Sequence, residues 1–220
     1  MMEELLKIDL LGYINAKRPE NLPEWTAEPV VQTESISDKV FDIVDLRDGG
    51  GTIKRPVGAG EATYFNGDDR ETYTLHFVRY EYFINQFRTF DGSGRIIGDW
   101  GKGMSRPDYL VYDSGESKQY FIIHELSSGT IKNKRKDGKL QLLNTVRVLC
   151  EQEHIWDYIQ HTFKNLLCFI SARDCVGATP SGMADGFMEI YKHLPEPIPF
   201  HNATIEKRGF HAFESKVVKL

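Results

Sequence analysis

The sequence predicts a mixed α/β fold in which helices flank a mixed central sheet, and three observations support this class. Apolar residues recur at spacings of three and four over residues 71–90, the pattern of an amphipathic helix. Two segments, residues 119–126 and 165–171, are apolar on both alternating faces, as strands covered on two sides are. Between residues 71 and 171 the predicted elements follow the order helix, three strands, helix, strand.

Each element of that order rests on a local pattern, and further elements are predicted on either side. The predicted helices cover residues 2–14, 71–90, 139–163 and 182–194. The predicted strands cover residues 39–46, 95–100, 108–113, 119–126, 165–171 and 201–213. The Lys-rich segment 127–139 reads as a polar loop because it lacks apolar periodicity.

Length and composition favour one domain of 220 residues, with a core at 71–171, an N-terminal extension at 1–70 and a C-terminal extension at 172–220. The formal net charge is −5, so any nucleic-acid contact must come from a local basic patch. The three cysteines lack metal-ligand spacing. No signal-peptide pattern and no run of transmembrane length appears. We therefore expect a cytoplasmic protein that has no membrane partner.

Two carboxylates lie inside segments that otherwise predict buried strands. Asp108 begins one strand and Glu125 lies near the end of the next. A buried carboxylate is costly unless it is paired, hydrogen-bonded or bound to a metal. If the two strands are antiparallel neighbours, both acids lie at the same edge of the sheet. With the Leu126 carbonyl they would form an oxygen site for Mg²⁺ or Mn²⁺, which can support phosphodiester cleavage.

The string RPDYLVYD…FIIHELS, which carries these acids, resembles the core of the PD-(D/E)XK nuclease superfamily. Pro107-Asp108 matches the first half of its motif, and Glu125 matches the acid of the second half. The resemblance implies a restriction-endonuclease-like core in the element order given above, with Asp108 and Glu125 as metal ligands. It also implies a helical glutamate at the site, for which Glu81 is the first choice and Glu71 the second.

What the resemblance implies about function is an Mg²⁺- or Mn²⁺-dependent endonuclease. Its substrate would be DNA, in double-stranded form, and its setting restriction, a mobile element or phage defence. A homodimer is compatible with this setting.

The motif departs from the family at its catalytic lysine, because Ser127 occupies that position. An active enzyme then needs another cation near the attacking water. Lys132 is the first choice, Lys139 the second, and Lys134 can also reach back. Two alternatives stay open: a catalytically inactive nuclease-like domain that binds nucleic acid or a protein, and an unrelated α/β domain whose acids are structural.

The basic segment itself is a candidate DNA-binding surface. Its cationic residues are Lys132, Lys134, Arg135, Lys136 and Lys139. Such a cluster is either solvated loop charge or a phosphate-binding patch beside the acidic site. His124 alternates with Glu125 along its strand, so we expect it on the opposite face as a packed, hydrogen-bonded histidine.

Overall fold

The computed structural model describes residues 1–46, 50–67, 71–116, 118–175 and 196–220. This part of the chain contains a seven-stranded sheet, a four-stranded sheet, a two-stranded hairpin and several helices. Both larger sheets mix parallel and antiparallel pairs. The mixed α/β class that the sequence predicts is confirmed. The predicted helix at 182–194 lies outside the described residues.

The helices and strands have the following bounds. The helices are α1 (Met2–Leu5), a π-helical segment (Leu6–Leu10), α2 (Leu11–Lys17), α3 (Tyr80–Asn85), α4 (Ile131–Glu151), α5 (Glu153–Thr162) and α6 (Ala203–Glu206). The strands are β1 (Thr33–Ile36), β2 (Val40–Ile43), β3 (Lys54–Arg55), β4 (Ala62–Phe65), β5 (Leu75–Arg79), β6 (Arg88–Phe90), β7 (Ile96–Asp99), β8 (Tyr109–Asp113), β9 (Tyr120–Ser127), β10 (Asn165–Ala172), β11 (Ile198–Pro199), β12 (Phe210–Glu214) and β13 (Val217–Lys219). None of the helices in the described ranges is both long and apolar enough to span a membrane.

The seven-stranded sheet has the order β1-β5-β8-β9-β10-β12-β11. Strands β5, β8 and β9 are antiparallel neighbours, whereas β10 runs parallel to β9. A parallel pair needs a long crossover connection, and α4 with α5 supplies it. Strand β9 lies inside the sheet, with Phe121 and Ile123 in one apolar core and Ile122 in the other. The prediction that residues 119–126 form a central strand is confirmed.

The predicted helix over residues 71–90 is wrong, because this stretch forms β5, α3 and β6. Leu75 and Phe77 pack into one core while Val78 packs into the other, which is the alternation of a strand. The helical spacing in the sequence joins residues from three different elements. The prediction that residues 95–100 form a strand of the central sheet is also wrong, because these residues form β7, which pairs with β6 in a separate hairpin. Strand β5 occupies the place in the central sheet that this segment was expected to fill.

The Lys-rich segment is another correction, because α4 begins at Ile131 and residues 131–139 of the predicted loop belong to its first turns. Asp174 Oδ1 accepts a hydrogen bond from the Ile131 amide at 2.7 Å and so satisfies one free donor at the helix start. Gly138 packs so closely on β10 that a Cβ there would lie 3.1 Å from Ile170 Cδ1. The residues at 201–213 likewise form α6 followed by β12, with Asn202 capping the short helix.

A buried hydrogen-bond chain joins the two larger sheets through His124. The hydroxyl oxygen of Tyr64 on β4 lies 2.7 Å from His124 Nδ1, and Ser171 Oγ on β10 lies 2.8 Å from His124 Nε2. Burial lowers the pKa of His124 to about 3, so the ring is neutral. The Ser171 hydroxyl donates to the Ser215 carbonyl at 2.5 Å, so its oxygen accepts a hydrogen bond from His124 Nε2–H. The other ring nitrogen, Nδ1, then accepts a hydrogen bond from the Tyr64 hydroxyl. The expected packed, hydrogen-bonded histidine is confirmed.

Segments outside residues 71–171 extend the sheets. Strand β1 pairs with β5, and β12 pairs with β10, so the central strands gain neighbours from both sides of the chain. The second sheet has the order β13-β4-β2-β3 and combines segments far apart in sequence. Its strand β13 pairs in parallel with β4, with Val217 opposite Thr63.

Candidate metal centre

Three carboxylates from three different segments converge beside the central sheet. Asp45 follows β2, Glu81 lies in the first turn of α3, and Asp108 directly precedes β8. Each offers a carboxylate oxygen, and these oxygens all lie within 4.8 Å of one another. Asp108 is buried, whereas Asp45 and Glu81 are partly exposed. The group is therefore reachable from solvent on one side.

Strand pairing explains why Glu81 and Asp108 meet. Strands β5 and β8 are antiparallel, with Arg79 opposite Tyr109, so the end of β5 lies beside the start of β8. Helix α3 begins at the next residue, where the Tyr80 amide donates to the Asp108 carbonyl at 3.0 Å. Glu81, in the first turn, is thereby held next to Asp108.

Asp45 reaches the group because two side chains of the central sheet hold its segment. The Tyr109 hydroxyl donates to the Val44 carbonyl at 2.6 Å, and Arg79 Nη2 donates to the Leu46 carbonyl at 3.0 Å. These bonds fasten the residues on both sides of Asp45 to β8 and β5.

The environment of Asp108 disfavours its charged form. Burial raises its pKa well above the usual range, and the nearby carboxylates of Glu125 and Asp45 raise it further. The opposing contact is a hydrogen bond of 2.6 Å that Asp108 Oδ2 accepts from the Leu126 amide. This bond joins β8 to β9 where the sequence predicts that Asp108 and Glu125 meet.

Glu125 lies next to this group and is already engaged. Lys134 forms an ion pair with its carboxylate, and only 2% of the Glu125 side chain is exposed. With its amide nitrogen turned toward Glu125, Gln141 donates to the same carboxylate, 2.7 Å from Oε2. Burial raises the pKa of Glu125 to about 7, although Lys134 acts to lower it. Burial acts to lower the pKa of Lys134, but Glu125 raises it above its usual value.

The cation beside Glu125 is Lys134, and the first choice made from the sequence, Lys132, is corrected. Lys132 is exposed on α4, because a helix that begins at Ile131 turns position 134 inward and position 132 outward. Lys139, the second choice, pairs with Glu214 at 2.9 Å. Ser127 at the motif's lysine position accepts a hydrogen bond from the Gly129 amide at 3.2 Å, as in a turn. Glu71 is exposed.

The candidate DNA-binding cations fall into two groups. Arg135 and Lys139 both contact the buried Glu214 carboxylate, at 2.8 and 2.9 Å. Lys132 and Lys136 are exposed and lie one turn apart on α4. Arg135 is exposed as well, so Lys132, Arg135 and Lys136 face solvent, and Glu214 holds one of them, Arg135.

The acidic group fits Mg²⁺ or Mn²⁺. Mg²⁺ holds its ligands at about 2.0–2.1 Å, so oxygens on one ion lie roughly 3 to 4 Å apart. Oxygens already within 4.8 Å of one another need only small side-chain shifts to reach that spacing. A set made only of carboxylates suits hard cations rather than zinc or copper. Whether Glu125 and the Leu126 carbonyl complete the ligand set stays a prediction.

The comparisons with known proteins find no match to this chain among protein-family models, curated proteins or solved structures. Sequence reasoning missed Asp45, although one signal was present. Asp45 is an acid two residues beyond the end of an apolar strand, β2, where polar side chains of a site often cluster.

The metal-free protein is expected to lose stability as the pH rises from about 5 to about 8. Glu125 titrates near 7 when folded and near its ordinary value of 4.5 when unfolded, so the folded state binds more protons between these values. Its contribution amounts to at most about 3 kcal/mol, and Asp108 acts in the same direction. Thermal unfolding in EDTA across this range measures the effect.

Millimolar Mg²⁺ should restore much of this loss at pH 8 and little at pH 5, because protons compete with the metal for the carboxylates. A melting temperature that does not respond to Mg²⁺ or Mn²⁺ at either pH would contradict the metal site.

Proposed function

We propose that this protein is a metal-dependent endonuclease that hydrolyses phosphodiester bonds in DNA and has a restriction-endonuclease-like core. The observation that carries the proposal is the meeting of Asp45, Glu81 and Asp108 within 4.8 Å, next to the ion pair of Glu125 and Lys134. Carboxylates gathered beside a lysine are the groups that metal-assisted phosphodiester cleavage requires.

The topology around these residues supports the same proposal. Strands β5, β8 and β9 form an antiparallel meander, and a helical crossover leads to β10, which is parallel to β9. This order agrees with the three-strand, helix, strand part of the core that the PD-(D/E)XK resemblance implies, and it supports the proposal. The acids lie at the start of β8 and near the end of β9, as that resemblance requires.

Each residue of the site has a role in this proposal. Asp45, Glu81 and Asp108 hold the ion. A bound Mg²⁺ or Mn²⁺ would polarise the phosphoryl oxygen and lower the pKa of a bound water. Lys134 orients Glu125 through one of its three N–H donors, which leaves two for a water molecule or a phosphate oxygen. Lys134 thus provides from helix α4 the cation that Ser127 cannot provide from β9.

The exposed lysines of α4 give a surface for the DNA backbone. Lys132 and Lys136 lie on the same helix as Lys134 and face solvent. Lysine side chains bind phosphates without reading sequence, and their contribution falls as salt is added. Arg135 and Lys139, held by Glu214, would order this surface rather than serve as its main contacts.

A second candidate is a nuclease-like domain that binds nucleic acid or a protein without cleaving. The observation that favours it is the engagement of Glu125 by both Lys134 and Gln141, which resembles a structural ion pair. The serine at position 127, where the motif has a lysine, also favours a domain that does not cleave. In that case the three acids would be a remnant of an ancestral site.

Cleavage of supercoiled plasmid DNA separates the two candidates. The protein should nick or linearise the plasmid in Mg²⁺ or Mn²⁺ and should not do so in EDTA. Glu81→Gln should reduce the rate by roughly 100-fold or more, because it removes a charged ligand. Glu4→Gln on α1, an exposed glutamate, is the matched control and should cleave like the unmodified protein. DNA binding without cleavage in either metal would favour the second candidate.

A further inference from the structure

The β6–β7 hairpin presents an apolar tip to solvent. Phe90 lies directly opposite Ile96, so both side chains share one face of the hairpin. Ile97 is the bulged residue, because Thr89 pairs with Gly98 and Phe90 with Ile96. A bulge of this kind redirects the side chain relative to the regular alternation of the strand. Phe90, Ile96 and Ile97 are 55%, 46% and 61% exposed, an unusual concentration of large apolar side chains in eight residues.

Hydrogen bonds and an ion pair hold the hairpin at its turn and at its base. In the turn, Asp91 Oδ1 accepts hydrogen bonds from the amides of Ser93 and Arg95, both at 2.9 Å. At the base, Arg88 Nε pairs with Asp99 Oδ2 at 3.0 Å. Trp100, the next residue, donates to the Pro23 carbonyl at 2.7 Å.

The charge of this region suits a polyanion. Residues 88–106 carry four cationic and two acidic side chains, in a chain whose formal net charge is −5. The cations are Arg88, Arg95, Lys102 and Arg106, and the acids are Asp91 and Asp99. Arg88 and Arg106 pair with Asp99 and Arg95 pairs with Asp91, so the exposed cations of the hairpin region are Arg95 and Lys102. A local positive excess of this kind attracts nucleic-acid phosphates.

The hairpin is continuous with the acidic site. It connects α3, which carries Glu81, to β8, which Asp108 precedes. Arg106 links the two: it contacts Asp99 at the hairpin base at 3.3 Å, and its charge partly opposes the rise in the pKa of Glu81 that burial and Asp45 cause. DNA held at the carboxylates would therefore lie near the hairpin.

We propose that the β6–β7 hairpin is a wedge that inserts Phe90, with Ile96 or Ile97, into a groove of duplex DNA and unstacks a base step. The inference rests on the proposed function for the presence of DNA at the neighbouring site. Apolar side chains inserted between base steps kink a duplex and extend its contact with protein. The exposed Arg95 and Lys102 would contact the backbone phosphates beside the kink.

Duplex DNA is a better occupant than a second copy of the chain. In a two-fold dimer the same surface meets itself, so the positive excess of one hairpin would face that of the other. Like charges brought together in this way oppose association, whereas DNA phosphates neutralise them. The polar turn and the small apolar area also suit a groove better than a broad protein interface.

Fluorescence of 2-aminopurine in a short duplex tests the wedge, with Ca²⁺ in place of Mg²⁺ so that binding is measured without cleavage. The unmodified protein should raise the fluorescence, which reports unstacking. Phe90→Ser combined with Ile97→Ser should remove this rise and weaken duplex binding about tenfold. Ile198→Ser on β11, which is 48% exposed at the far edge of the sheet, is the matched control and should retain both. Circular dichroism checks that each variant is folded.

The outcomes separate this inference from the proposed function. Unchanged fluorescence and affinity in the hairpin variant would overturn the wedge, even if plasmid cleavage occurs. A hairpin-dependent rise without cleavage in any metal would keep the wedge and overturn the nuclease activity. A hairpin variant that changes only the oligomeric state would assign the tip to self-association, which also overturns the wedge.

Discussion

Asp108→Asn is expected to reduce metal-dependent DNA cleavage on the order of 10³-fold. Asn keeps the size of the side chain and can still accept the hydrogen bond from the Leu126 amide, but it removes the carboxylate of the buried member of the acidic group. Losing a metal ligand costs several kcal/mol of transition-state stabilisation, and each 1.36 kcal/mol is about a tenfold change in rate. Initial rates of plasmid nicking at saturating Mn²⁺ measure the loss.

The same substitution should stabilise the metal-free protein near pH 8. Burial and neighbouring carboxylates raise the pKa of Asp108, so its charged form is unfavourable in the folded state. Melting temperatures in EDTA should therefore rise while activity falls. Asp137→Asn on the exposed face of α4 is a control and should change neither. An Asp108→Asn variant that is inactive because it is unfolded, or one that is fully active, would contradict the assignment.

Lys134→Ala is the second change with a large expected effect. It removes the cation beside Glu125, and we expect cleavage to fall by a factor on the order of 10² to 10⁴, as on losing a proton-transfer partner. It also leaves a buried carboxylate without its partner, which costs about 3 kcal/mol near pH 8. Cleavage rates and thermal unfolding measure the two effects separately.

The stability loss in Lys134→Ala has a definite pH dependence. Without Lys134 the pKa of Glu125 rises above its present value of about 7, so folding takes up a proton over a wider range. The variant should lose stability as the pH rises above about 4.5 and should approach the unmodified protein below it. Lys132→Ala, two residues earlier and exposed, is the control. It should show a modest activity loss that disappears at low salt, as for a phosphate contact. Equal effects of the two variants would refute the role of Lys134.

The parts of the fold that the sequence predicted well are those with strong local patterns. Residues 119–126 and 165–171 form β9 and β10, because runs that are apolar on both faces can be buried only inside a sheet. The stretch 71–90 failed because period-two and period-four patterns overlap where β5 passes directly into α3. No spacing rule marks the boundary, since Arg79 and Tyr80 are both buried.

The acidic site was predictable where it depends on two adjacent strands and not where it depends on distant segments. The nearness of Asp108 and Glu125 follows from the β8–β9 meander, whereas a metal-ligand role for Glu125 stays a prediction. Asp45 requires the packing of a second sheet on the first, which no local pattern in the chain records. Lys134 was passed over because α4 begins eight residues before the predicted start, and a shift of the helix start changes which lysine faces inward.

The parallel pairing of β13 with β4 has a consequence for biosynthesis. Val217 lies opposite Thr63, so the sheet that contains β2, the strand leading to Asp45, gains this strand only after more than 150 further residues have been translated. At the usual elongation rate of about 5–20 residues per second, this delay is about 8 to 30 s. A nascent chain on the ribosome would already contain Glu81, Asp108 and Glu125 before β13 could pair with β4 and complete the sheet next to Asp45. Under the proposed function, ribosome-bound and prematurely terminated chains should therefore be inactive.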